Sequence, residues 1–162
     1  GDAMARKDIS MTDAEVLEFL GSGAKVLQVA TIGKDGSPHL APMWFVLDDG
    51  KVVFRSFTKS QKIVNLQRDP RLTVLVETGD TYDTLQGVMI KGRATLVDDP
   101  EYVLELYGRL GARYPFVGDT PAELDADALE AAFGRFAPKN TAVVVEPESV
   151  TSWDHTKLAG SY

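Results

Sequence analysis

Phe54-Arg55-Ser56-Phe57-Thr58-Lys59-Ser60-Gln61-Lys62-Ile63-Val64-Asn65-Leu66-Gln67-Arg68-Asp69-Pro70-Arg71 is the stretch from which the rest of the chain can be read. It begins as the end of a β-strand, passes through a loop rich in hydroxyls and ammonium groups, and continues into a short helix. Thr58 or Ser60 can open that helix, because either hydroxyl can accept from the free backbone N–H groups of a first turn. Thr58 with Gln61 also fits a reciprocal capping pair. Pro70 sets the stop, since the residue before a proline is pushed out of the helical region. A helix start with free N–H groups, hydroxyls and a nearby lysine suits a phosphate.

Charge sets this stretch apart. Lys51, Arg55, Lys59, Lys62, Arg68 and Arg71 face one acid, Asp69, between positions 51 and 71, a local balance of +5 in a chain of net charge −7. A positive island on an acidic protein points to a discrete anionic ligand, not a long polyanion, and so away from general nucleic-acid binding. The same residues also fit a capped surface helix whose cations face water.

At 162 residues, the chain has the length for one domain, 1–162, with its own core. Gly1-Asp2-Ala3 ahead of Met4 reads as a vector remnant, with Met4 the natural start. The sequence has no cysteine, which removes disulfides and thiolate-bound metals. The two histidines lie far apart, and the acids between Asp119 and Glu130 lack calcium-loop spacing, so no metal site is expected. No apolar run reaches membrane-span length and the start resembles no signal peptide, so a cytoplasmic location without membrane contact is the expectation. No Gly-x-Ser-x-Gly elbow of a serine hydrolase is present.

Working outward, Thr12-Asp13-Ala14-Glu15 carries a capping box for a helix that Gly21-Ser22-Gly23 ends. Strands are expected at residues 25–32, 39–47, 51–57, 72–78, 85–97 and 141–150. Gly- and Asp-rich links make the first three a meander. Pro42 belongs at an edge or bulge, and Pro147 should break the last strand. Asp99-Pro100-Glu101 starts a helix, and residues 121–136 read as another. Many antiparallel strands with tight turns and late helices indicate an α+β, mainly β, closed barrel with peripheral helices.

Lys62-x-x-Asn65-Leu66-x-Arg68-Asp69-Pro70-Arg71, the Gly36-Ser37-Pro38-His39-x-x-Pro42-Met43-Trp44-Phe45 strand and the Trp153-Asp154-His155 tail resemble the split β-barrel flavin and deazaflavin oxidoreductases. That superfamily includes pyridoxamine 5′-phosphate oxidase, and the motifs are most similar to its F420-dependent reductase B group. The resemblance runs from about Ala24 to Leu158. It implies a split β-barrel, a homodimer with cofactor sites at the interface, and an F420H2-dependent reductase. The reaction implied is hydride transfer to a conjugated small molecule such as an enone, a quinone or a tetrapyrrole like biliverdin. FMN as cofactor, or a non-catalytic cofactor-binding protein, are the alternatives.

For the site, the resemblance implies that Lys62 contacts the cofactor phosphate, with Lys59, Ser60 and Asn65 beside it and Arg55 and Ser56 adding donors. Ala41, Pro42, Met43 and Trp44 lie along the ring, and the Gln86–Ile90 strand, Gln86 and Val88 included, reaches in from the partner chain. The phosphate loop has Gln61-Lys62 where true pyridoxamine phosphate oxidases carry Arg-Lys, and the tail has Trp153, His155 and Lys157 where they carry an Arg/His set, which speaks against vitamin B6 oxidation. The hydride comes from the cofactor, so no catalytic side chain is required. His155 is the candidate proton donor, against the plain reading of a hydrogen-bonded histidine. Trp44 and Trp153 also fit interface packing, and His39 fits a surface position.

Overall fold

A computed structural model describes residues 8–159; the Gly1–Met4 segment read above lies outside them. Helix α1 (Asp13–Gly21) opens with the expected capping box, Thr12 and Glu15 each bonding the other's backbone N–H. The strands are β1 (Leu27–Ile32), β2 (Pro38–Met43), β3 (Val46–Asp48), β4 (Lys51–Phe57), β5 (Arg71–Thr78), β6 (Gln86–Val97) and β7 (Asn140–Asp154). Helix α2 (Gln61–Arg68) joins β4 to β5, while α3 (Pro100–Arg113) and α4 (Ala126–Phe133) lie between β6 and β7. All seven strands form one antiparallel sheet in the order β2-β1-β5-β6-β7-β4-β3.

That order forces curvature. Strands β2 and β3 are the two edges, yet only Trp44 and Phe45 separate them in the chain. Three Cα steps span at most about 11 Å, whereas the edges of a flat seven-stranded sheet lie roughly 29 Å apart. The sheet therefore curls until its edges nearly meet, with no ladder between β2 and β3: an α+β, mainly β, split barrel. The expected single strand over residues 39–47 is thus two strands on opposite edges, broken at Trp44-Phe45. The meander holds only as two hairpins, β1–β2 and β3–β4. The second hairpin turns through Asp49 and Gly50, both at positive φ (50° and 75°), as a tight hairpin turn requires.

Other boundaries moved for identifiable reasons. Pro147 does not break β7; the β6–β7 register shifts at Lys91/Gly92, which leaves Glu148 unmatched and sets Pro147 opposite Gly92. A Cβ on Gly92 would collide with the Glu146 carbonyl, so the bulge needs glycine there. The helix read over residues 121–136 is only Ala126–Phe133, with Asp125 as its N-cap, because the Ala122 N–H is drawn back to the Gly111 carbonyl (2.9 Å).

Two apolar clusters sandwich β4. Val52 and Phe54 point into the barrel with Leu27, Val29, Ile63, Leu66, Val76 and Val143. Val53 points the other way, onto α3 residues Val103, Leu106, Tyr107 and Leu110. Among the described residues, no helix is long and apolar enough to cross a membrane.

Candidate functional site

Period-two alternation carries on to the end of β4 and separates two polar side chains adjacent in sequence. Ser56 follows Phe54 to the barrel side, where it is buried. Its hydroxyl lies 3.0 Å from Ser60 Oγ and accepts from Lys62 Nζ at 3.2 Å. Ser60 is the N-cap of α2, and its hydroxyl is turned to Ser56 with no cap bond of its own. Thr58 does not cap α2: its hydroxyl lies 2.8 Å from Thr141 Oγ1, on β7. The resulting cradle consists of an ammonium, two hydroxyls and the free N–H groups of a helix start, with Lys59 exposed at its rim. Burial pulls the Lys62 ammonium below the usual lysine range, and the neighbouring Arg55 charge adds to that.

Arg55 follows Val53 to the α3 side. Its Nη1 donates to Asn140 Oδ1 at 2.8 Å, and its guanidinium lies 4.5 Å from the centre of the Tyr107 ring. The Nε–H is buried and has no acceptor among the described residues. Burial lowers the Arg55 pKa, with Tyr107 opposing. Among the described residues, neither Arg55 nor Lys62 pairs with a carboxylate.

Beside Arg55 the seam of the barrel opens into a cleft of about 250 Å³ lined by Val26, Pro42, Met43, Trp44, Leu110 and Phe116. Trp44 is 38% exposed along it. The crossover that carries Trp44 is held from behind. Arg113 donates to the carbonyls of Phe45, Leu20 and Gly23. The Tyr114 hydroxyl donates to the Lys25 carbonyl at 2.7 Å and accepts from the Phe45 N–H at 3.4 Å. The Tyr114 ring stacks on Trp44 (4.8 Å, 11°), and the Phe116 ring lies tilted to Trp44 at 5.3 Å.

The fold brings Arg55, Ser56, Ser60, Lys62, Pro42, Met43 and Trp44 to this region, with Ala41 beside them on β2. Two expected contacts are engaged elsewhere. Asn65 is fully buried, donating to Thr31 Oγ1 (3.0 Å) and accepting from Gln61 Nε2 (2.8 Å), so it braces α2 against β1. Val88 is a core residue inside the barrel. Gln86, Trp153 and His155 gather at the far end of β6 and β7 from Asn140, away from Lys62 within one chain. His155 packs its ring edge-on to Tyr82 at 4.6 Å. His39 is half-buried with an unpartnered Nδ1, not a plain surface residue. Asn140, Arg113 and Phe116 escaped the sequence reading, since each reaches the site only through long-range packing.

Among the described residues, no three His, Asp or Glu side chains gather as a metal site. Cations without acid partners, an orphaned buried donor and an apolar ring-lined cleft fit a phosphorylated, planar coenzyme. The family profile described as pyridoxamine 5′-phosphate oxidase matches residues 12–154.

The chain belongs to the pyridoxamine 5′-phosphate oxidase family.

Solved structures agree with this membership. The conserved hypothetical protein Rv2991 from Mycobacterium tuberculosis is 38% identical, with a TM-score of 0.85 over 95% of this chain and 91% of that one. An F420 reductase is 25% identical, with a TM-score of 0.62 over 82% of this chain and 94% of its own. A putative pyridoxamine 5′-phosphate oxidase from Listeria innocua, 18% identical with a TM-score of 0.63 over 86% and 96% of the two chains, shares the fold. A comparison with curated proteins found no match. As a member of this family, the chain has the fold of flavin- and F420-binding oxidoreductases.

Proposed function

We propose that this protein is an F420H2-dependent reductase of conjugated small molecules. The observation that carries the reading is the half-buried Lys62–Ser56–Ser60 cradle, free of acid partners and set next to the Trp44 cleft. The likeness to an F420 reductase over most of the chain favours F420 over FMN. Lys62, Ser56, Ser60 and Lys59 hold the phosphate, and Ala41, Pro42, Met43 and Trp44 support the ring. When bound, the reduced deazaflavin supplies the hydride. The protein's part is to fix the ring, exclude water from the cleft and align the acceptor carbon. Two chains pair as a homodimer through the outer sheet face, where Leu40 stands 67% exposed with Pro38 and Pro42. In that assembly Gln86 reaches the site from the partner.

Titrating the purified protein with F420 and with FMN, while following tryptophan emission, tests the assignment. Tighter quenching by F420, followed by F420H2 oxidation with an enone, quinone or biliverdin, is the expected result. Preference for FMN overturns the cofactor, and tight F420 binding without turnover on any acceptor indicates a carrier.

A further inference from the structure

Arg55 adjoins the phosphate cradle, close enough for its charge to act on Lys62, yet it leaves β4 on the opposite face. Alternation along β4 sends Ser56 to the barrel side with Lys62, and Arg55 to the α3 side, where the cleft lies. Among the residues that line the cleft, Arg55 alone carries a charge; Val26, Pro42, Met43, Trp44, Leu110 and Phe116 are apolar or aromatic. It is also held in place. Asn140 fixes Nη1 at 2.8 Å and is itself pinned through Nδ2 to the Phe136 carbonyl at 2.9 Å, while the Tyr107 ring supports the guanidinium plane. What remains is a buried Nε–H without an acceptor. A buried donor left unpaired is costly, and a fixed cation in an apolar cleft is suited to an oxygen that becomes negative during reaction.

We infer that Arg55 is a catalytic residue that holds the carbonyl oxygen of the acceptor and stabilises the negative charge it gains on reduction. The inference rests on the cofactor reading above. In conjugate reduction, the carbon β to the carbonyl gains a hydride from the reduced deazaflavin or flavin, which is oxidised. The C=C π pair shifts to form the Cα=C bond of an enolate, and the carbonyl π pair moves onto oxygen. A water proton then adds to Cα, so the acceptor takes up one hydride and one proton in all. Arg55 bears on the middle stage, when the charge sits on oxygen in the cleft that its guanidinium lines.

The test compares Arg55→Met, which keeps length without charge, with Arg55→Lys, which keeps charge without the fork. p-Nitrophenolate, a planar oxyanion that mimics the enolate, is titrated by absorbance into protein loaded with oxidised cofactor. Cofactor affinity is read separately by tryptophan quenching. In Arg55→Met, phenolate affinity should fall about tenfold or more with cofactor affinity changed less than about twofold, because only a charge-assisted contact to the acceptor is lost. Turnover of cyclohexenone should fall roughly a hundredfold, and Arg55→Lys should recover part of the phenolate affinity. Unchanged phenolate affinity overturns the inference, as does a cofactor affinity that falls in step with it, which would place Arg55 on the phosphate. If neither cofactor binds the unmodified protein, the proposed function fails. Phenolate titration of the cofactor-free protein and of Arg55→Met then reads the oxyanion site alone, and equal affinities sink it independently.

Discussion

Six cations share the stretch from Lys51 to Arg71, and the fold divides them into two groups. Lys51 meets Glu146 at 2.7 Å, Arg71 meets Asp69 at 2.7 Å, and Arg68 donates to Asn65 and the Ile32 carbonyl. Arg55 and Lys62 are half-buried without an acid, and Lys59 points to water. In the first group the charges are neutralised locally or tie elements together. In the second, partial removal from water makes Arg55 and Lys62 costly until an anion arrives. A local charge count of +5 therefore overstates the unpaired charge; among the described residues, only Arg55, Lys59 and Lys62 of the six are left without an acid or a backbone carbonyl to tie them.

Breaking the second group should have the largest effect. Lys62→Ala should cost about 1.5–3 kcal/mol of cofactor affinity by removing a charge-assisted bond, read as a weaker dissociation constant at unchanged melting temperature. The pH dependence follows from the depressed Lys62 pKa. A bound anion favours the charged ammonium, so affinity is full while Lys62 is protonated and falls as pH rises through its free-protein pKa. That fall should begin below the usual lysine range and be absent in Lys62→Ala. An identical pH profile in both proteins would assign the dependence to another group.

Tyr114→Phe should have an intermediate effect. The ring stack on Trp44 remains, but the Lys25 carbonyl and Phe45 N–H lose their shared partner. A stability loss of about 1–2 kcal/mol is expected, together with a shifted Trp44 emission in a Trp153→Phe background. Unaltered emission would mean that Tyr114 does not set the position of Trp44.

The first group supplies the smallest effect. The Arg71 side chain is 64% exposed, so Arg71→Ala should change stability by no more than about 0.5 kcal/mol. Cofactor affinity should stay constant. A marked loss of affinity would erase the distinction between paired and unpaired cations.

How much was legible depended on the range of the governing interaction. The Thr12–Glu15 box, the Asp99-Pro100 start and the Pro70 stop were read correctly, because each is decided within four residues. The Ser60 cap could not be told from Thr58 locally; Thr58 is withdrawn by Thr141, 83 positions away. Pro147 was misjudged because its tolerance depends on Gly92 across the ladder. Asn65 belonged to the recognisable motif, yet its burial against Thr31, 34 positions away, could not be read from the motif.

The sequence by itself determined the strand and helix inventory in outline, the cationic loop and the family, since periodicity, caps and a contiguous motif are local properties of the chain. Tertiary structure alone decided that residues 39–47 become both edges of a curled sheet, which opens the cleft at Trp44. It also decided that adjacent Arg55 and Ser56 serve different faces of one strand. Which of six cations is left without an acid depends on partners such as Glu146 and Asn140, placed by the closing of the barrel and not by their distance along the chain.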